Sequence, residues 1–253
     1  MSPPYDKHEP EEQLAEGTLV SHLLELRSRI MKAVIAVAVA FLCLTPFMNP
    51  VFEFVSRPLR EALPEGSAMI VTDVAAPFLT PMKTAFFVAL FIAMPVVLYQ
   101  VWQFVAPGLY KREKRLAIPL LLSSIALFYT GIAFAYLIVF KVMFGFFVGR
   151  TPTGVDMTPD ISAYLSFVLG IFLAFGLAFE VPIATVLLIW SGLVSVETLK
   201  RIRPYVFLGA FIAGMLLAPD VFSMTLMALP MYALYEVGLI MARVLIPEKA
   251  AAA

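Results

Sequence analysis

Apolar residues in this chain gather into six long blocks separated by short polar clusters, at about Ile30–Phe47, Thr84–Val105, Ala117–Phe140, Ser162–Trp190, Tyr205–Ala218 and Val221–Ala242. Crossing about 30 Å of hydrocarbon takes about 20 helical residues. The blocks therefore predict an all-α polytopic membrane protein, with six spans in a single domain over residues 18–249. The last two spans are short. Tyr205–Ala218 has 14 residues, and Asp220 and Glu236 leave 15 uncharged residues between them. Short adjacent helices thin the bilayer locally or lean on neighbours. Residues 1–17 are rich in Pro and acidic side chains and predict a disordered tail, while Ala250–Ala253 reads as an appended scar.

The polar connections are unequal. Within the long segment 49–80, Phe52, Val55, Leu59 and Leu63 recur at helical spacing, which predicts a short amphipathic helix at the membrane surface and an ordered cap. Pro58, Pro64 and Gly66 predict a break in the chain there, and Pro77 and Pro81 predict further turns before the second span. Pro95, Pro182 and Pro230 fall inside spans, where each removes a helical hydrogen bond and either shapes packing or lines a cavity.

Composition agrees with the pattern: 61% of residues are apolar, 14% are charged and mean hydropathy is +0.92, far outside the range of soluble domains. Charge adds orientation. With the N-terminus inside, 13 of the 18 Lys and Arg fall on the cytoplasmic side, and only Arg57, Arg60, Lys83, Lys141 and Arg150 fall outside. Positive charge is retained on the cytoplasmic side, so both termini are expected there. Tyr99, Trp102, Tyr110, Tyr164 and Trp190 fit an interfacial aromatic belt. A net charge of +0 argues against a nucleic-acid partner. The single Cys43 lies in the first span as a small packing residue. That span is long enough to act as a signal anchor, with no cleavable leader expected before it. No Gly-rich phosphate loop or metal-ligand motif occurs, so no cofactor is expected.

Against this apolar background, three carboxylates carry the candidate chemistry. Glu180 is the single charged residue between Ile161 and Val196. A charge at that depth costs about 3 kcal/mol on insertion scales, so it marks a bundle interior or a wet cavity. Glu25 follows Leu19 and Leu23 on an amphipathic helix leading into the first span, and Arg29 is its i,i+4 neighbour. Glu113 stands among Lys111, Arg112, Lys114 and Arg115. On one membrane face, Glu25 and Glu113 together could receive a ligand with two guanidinium groups, each able to make bidentate hydrogen bonds.

Several ordered segments resemble signatures of the TatC family of the twin-arginine protein translocase. They include His22-Leu23-Leu24-Glu25-Leu26-Arg27, Phe104 through Glu113, Ser56-Arg57-Pro58-Leu59, Thr72 through Phe78, Ser162 through Phe167, Phe179-Glu180-Val181-Pro182 and Arg203-Pro204-Tyr205-Val206. The resemblance covers about Leu19 to Arg243. It implies a concave, glove-like bundle in the bacterial cytoplasmic membrane, driven by the proton-motive force. It also implies that Glu25 and Glu113 bind the paired arginines of a signal peptide on folded cargo, with Arg27, Phe104, Leu109 and Tyr110 near the recognition surface. Glu180 would face the concavity, and Pro58 and Asp73 would belong to the cap. TatA- and TatB-type single-span partners, and self-association in the assembled receptor, are implied as well. In Leu216 through Met224 the chain departs from the family, with Ala218 and Met224 where Thr and Gln are common. Asp220 still matches, and Asp220 and Met224 mark the expected partner site.

A proton-coupled secondary transporter using Glu180 as carrier is the alternative reading, though no second midspan ionisable residue and no paired broken segments in two halves accompany it. A protease would need a motif such as H-E-x-x-H or G-x-S-x-G, and neither occurs.

Overall fold

The computed structural model describes residues 9–63, 68–105, 114–152, 155, 157–218 and 220–245. Nine α-helices form among them: α1 (Glu9–Leu44), α2 (Met48–Ala62), α3 (Ala76–Val105), α4 (Lys114–Phe134), α5 (Phe140–Gly149), α6 (Ile161–Ala178), α7 (Val181–Trp190), α8 (Val196–Leu217) and α9 (Val221–Leu245). A π-helical turn, Ala135–Val139, joins α4 to α5 as one continuous element. Five helical stretches are long and apolar enough to cross a membrane: Leu23–Glu61, Ala76–Phe104, Ile118–Gly149, Ile161–Trp190 and Val221–Val244. With α8 as the remaining crossing, the chain is the expected six-span bundle.

Several helices outrun the blocks that predicted them. α1 starts at Glu9, inside the segment expected to be disordered, because Glu11, Glu12, Gln13 and Leu14 are good helix formers. α3 starts at Ala76, so Pro77 and Pro81 lie in its opening turns instead of in separate turns. Pro77, second in the helix, forgoes an N–H that has no intrahelical partner there, whereas Pro81, sixth, removes one bond inside it. Pro58 likewise sits within α2, and the chain turns extended only at Leu63. The third span runs past Lys141 to Gly149 because Val142–Val148 remains apolar. α8 begins at Val196, ahead of its short apolar part, with Ser195 capping it by accepting from the Thr198 N–H at 3.1 Å.

Small residues let the helices approach closely, as expected where packing rather than water release drives association. A Cβ on Gly131 of α4 would lie 2.5 Å from the Phe175 carbonyl oxygen of α6. On Gly214 of α8 it would meet the Met224 carbonyl oxygen at 2.8 Å, and on Gly238 of α9 the Pro182 Cα at 2.7 Å. Phe128, Phe140 and Phe175 are fully buried in the core between α3, α4, α5 and α6. The Tyr129 hydroxyl donates to the Phe91 carbonyl at 3.0 Å, tying α4 to α3. Phe41 of α1 meets Phe86 of α3 edge to face at 5.8 Å. Tyr99 is exposed as an interfacial residue should be, whereas Trp102 turns inward.

The cap forms as the amphipathic stripe predicts. Val55 and Leu59 bury against the bundle, and Phe54 stacks on Tyr136 at 5.9 Å. Past α2, Ile70 pairs with Asp160: the Ile70 N–H donates to the Pro159 carbonyl and the Ile161 N–H to the Ile70 carbonyl, both at 3.0 Å. Asp160 is the staple. Its carboxylate accepts from Thr72 through both N–H and hydroxyl, and from the N–H groups of Ser162 and Ala163 at the start of α6.

Candidate functional site

The bundle has a cap end, with α2 and the Ile70–Asp160 bridge, and an opposite basic end where α3 finishes and α8 begins. Glu25 lies on α1 toward the basic end, half-buried and one turn before Arg29. The Arg29 guanidinium donates through Nε at 3.0 Å and Nη2 at 2.5 Å, both to Glu25 Oε1. Glu25 Oε2 accepts nothing from the described residues. Arg27, two residues on, points to the exposed side of the helix. It lines a shallow groove with Leu24, Ser28, Met31 and Lys32. Phe104 sits half-buried in the last turn of α3. Glu113, Leu109 and Tyr110 lie outside the described residues.

Glu180 occupies the break between α6 and α7. The Phe179 N–H reaches the Phe175 carbonyl at 3.0 Å, the Glu180 N–H reaches Leu177 at 3.1 Å, and Pro182 then opens α7. The half-buried side chain turns toward the third span, where the buried Ser124 hydroxyl donates to Oε2. Oε1 is buried with no hydrogen-bond partner among the described residues. A helix break, a proline and a buried hydroxyl thus hold a carboxyl group at mid-span, the kind of polar point that an all-apolar packing would exclude.

At the cap end, Asp73 Oδ1 accepts from the Ala75 N–H at 2.8 Å and so starts α3. Pro58 is half-buried within α2. Asp220 caps α9 by accepting from the Ser223 N–H at 2.9 Å, and Met224 is half-buried one turn on. Asp220 Oδ2 and the Ser223 hydroxyl are buried without partners among the described residues. Near this point a cavity of about 650 Å³ opens between α2, α5, α6 and the end of α8. Its lining includes Leu59, Tyr164, Phe167, Leu217 and Ala218.

Three contacts escape a reading of the sequence: Ser124 on Glu180, the Thr72–Asp160 staple, and an ion pair between α8 and α9. In the last, Arg203 Nη2 donates to Glu236 Oε2 at 2.6 Å while the Tyr232 hydroxyl donates to Oε1 at 2.8 Å. The pair explains how the last span continues through Glu236. Only Asp160 left a local signal, since Asp followed two residues later by Ser at the start of an apolar run is a helix cap. Among the described residues no cluster of His, Cys, Asp and Glu could hold a metal ion.

Residues 21–230 match the family described as Sec-independent protein translocase protein (TatC). The chain is 56% identical over 226 residues to the Sec-independent protein translocase protein TatC of Escherichia coli (strain K12), covering 89% of this chain and 88% of that one. It is 58% identical over 221 residues to the protein of the same name from Azotobacter chroococcum mcd 1, covering 87% of each. Its structure superposes on a crystal structure of the twin-arginine translocase receptor TatC with a TM-score of 0.81 at 39% identity, over 88% of this chain and 98% of that one.

Proposed function

The chain belongs to the TatC family of Sec-independent protein translocase proteins, and on that premise we propose that it is the receptor subunit for the paired-arginine signal peptide of folded cargo. It is a translocase component, not an enzyme, and an integral membrane protein. The observation that carries the receptor reading is the seat at Glu25. A guanidinium already lies on Oε1, while Oε2 takes nothing from the described residues. An incoming arginine can use Oε2 or displace Arg29, whose i,i+4 pairing is worth only about 0.2 to 0.5 kcal/mol. Displacement is therefore cheap, and selectivity must come from a second carboxylate, Glu113, together with the shape of the surface around Arg27, Phe104, Leu109 and Tyr110.

The basic end is the cytoplasmic face in this reading, because that is where Lys and Arg concentrate. The apolar part of the signal then enters the bundle beside the second and fourth spans, within reach of Glu180. Single-span partner subunits of the TatA and TatB type assemble at the cap-end cavity beside Ala218, Asp220 and Met224, and further copies of this chain join the receptor. The short apolar parts of α8 and α9 favour local thinning of the bilayer, and the proton-motive force supplies the energy.

The test is photo-crosslinking of a paired-arginine signal peptide to the full chain in membranes, with a paired-lysine peptide as control. Glu25→Gln and Glu113→Gln should each abolish the arginine-dependent crosslink while membrane insertion is unchanged. Undiminished crosslinking in both variants would defeat the receptor reading.

A further inference from the structure

Two apolar cores divide the described bundle, and the fourth span belongs to both. Its cap-side half, α6, gives Leu165, Leu169, Ile171 and Phe175 to the core shared with α3, α4 and α5. Its other half, α7, gives Val186 and Ile189 to a second core with Leu199 of α8 and Tyr235, Leu239 and Ala242 of α9. The span bends between the two. Pro182 has no N–H for the Ala178 carbonyl, and the Glu180 N–H bonds three residues back, to Leu177 at 3.1 Å.

Within each unit the helices meet backbone to backbone. Gly131 brings α4 against α6, Gly214 brings α8 against α9 and Gly238 brings α9 against α7, with a backbone atom 2.5, 2.8 and 2.7 Å from where a Cβ would stand. Between the units, α8 and α9 meet the rest of the bundle mainly along α6, and that seam is soft. A Cβ on Gly170 of α6 would meet the end of a side chain, Leu217 Cδ2, at 3.2 Å. α9 presents Met224, Met227 and Met231 to the first core from one face, and methionine repacks readily. The cavity of about 650 Å³ lies in the same seam, between Phe144 and Phe147 of α5, Phe167 of α6 and Leu217 of α8, so its walls forgo the dispersion contacts that hold the other crossings.

Two side-chain contacts mark the ends of this seam. At mid-span the Ser124 hydroxyl of α4 holds the Glu180 carboxylate, at the bend itself. At the cap end Phe222 of α9 stacks on Phe146 of α5, with ring centroids 3.9 Å apart and planes 16° from parallel. The Arg150 guanidinium lies 5.4 Å from the same Phe146 ring. From Glu180 back to Ile161 the helix runs about 28 Å, so a turn of about 10° at the bend moves the cap end by about 5 Å.

We propose that α7, α8 and α9 move as one body about the bend at Phe179–Glu180, and that the Phe146–Phe222 stack is the latch that keeps the cavity closed at the cap end. The glycine crossings keep each body rigid, Ser124 pins the pivot, and the methionine face of α9 slides along α6 as the cavity widens. The motion belongs to the chain alone and requires neither a signal peptide nor a partner subunit.

The experiment is pulsed electron–electron distance measurement on the full chain in lipid nanodiscs, in a Cys43→Ser background with nitroxide labels on cysteines at exposed positions. Leu137 on the third span and Leu216 on α8 form the pair across the seam. Ile92 with Leu137 reports on the first unit, and Leu216 with Val237 reports on the second. Phe222→Ala should raise the ratio of open to closed distances across the seam about two- to tenfold, the worth of one aromatic pair. The open component should differ from the closed one by about 5 Å, the displacement at the end of the lever. Both control pairs should keep a single, unchanged distance. An unshifted distance across the seam in Phe222→Ala overturns the proposal. A shift accompanied by broadening of either control pair overturns it too, because the bundle would then be loosening without a pivot.

Discussion

Ser124 on α4 donates its hydroxyl hydrogen to Oε2 of Glu180 at the α6–α7 break, across 56 positions of sequence. Ser124 is 1% exposed, and the other carboxyl oxygen is buried without a partner among the described residues. The contact therefore fixes which neighbour the mid-span acid faces: the third span, through one hydroxyl.

Removing that hydroxyl leaves the carboxyl group still more poorly satisfied. Ser124→Ala is expected to destabilise the bundle by about 1–3 kcal/mol, the usual cost of leaving a buried polar group without its partner. Thermal unfolding in detergent measures it. Ser124→Ala in a Glu180→Gln background should cost less, because the pair is then already weakened, and equal losses in both backgrounds would show that the two residues do not act together.

The α4–α6 crossing tolerates no side chain at Gly131, where a Cβ would lie 2.5 Å from a backbone oxygen that cannot swing aside. Gly131→Ala should cost about 1–3 kcal/mol. Gly145→Ala, with open space around it, should change stability by less than about 0.5 kcal/mol. The same unfolding assay compares the two.

Arg203 and Glu236 tie α8 to α9 with side chains 39% and 26% exposed. Arg203→Ala is expected to cost about 1–2 kcal/mol, between the values of exposed and fully buried pairs. The exchange Arg203→Glu with Glu236→Arg should recover part of that loss. A double variant no better than the worse single variant would show that the interaction depends on more than charge.

Asp160 should make the cap sensitive to acid. The Ala163 N–H, the Thr72 hydroxyl and the N–H groups of Thr72 and Ser162 hold its carboxyl below the ordinary aspartate value. With the folded value depressed, the stabilisation is complete above the unfolded value of about 4 and is lost as pH falls through the lower folded value. Hydrogen exchange at the Ile70 and Ile161 amides should quicken over that acid range. Asp160→Asn should raise exchange at neutral pH and remove the acid dependence.

The pair Glu25–Arg29 was legible in the sequence because residues four apart on a helix are neighbours wherever the helix lies. The amphipathic stripe Val55–Leu59 was legible for the same reason, since periodicity states which face must be covered. Helix ends were less so. Pro77 and Pro81 carry the same letters in a turn as in the opening of a helix, and the bonding of α3 decided between them.

By itself the sequence determined that this is a six-span helical membrane protein with isolated acids among apolar blocks, because hydrocarbon thickness and backbone hydrogen bonding leave a chain of this composition few other arrangements. Tertiary structure alone decided which neighbour three of the acids meet. Glu180 found Ser124, Glu236 found Arg203 and Asp160 found Thr72 across separations of 56, 33 and 88 residues. No local period encodes such partners. They follow from which helices cross, and those crossings are set by where glycines such as Gly131, Gly214 and Gly238 let two backbones meet.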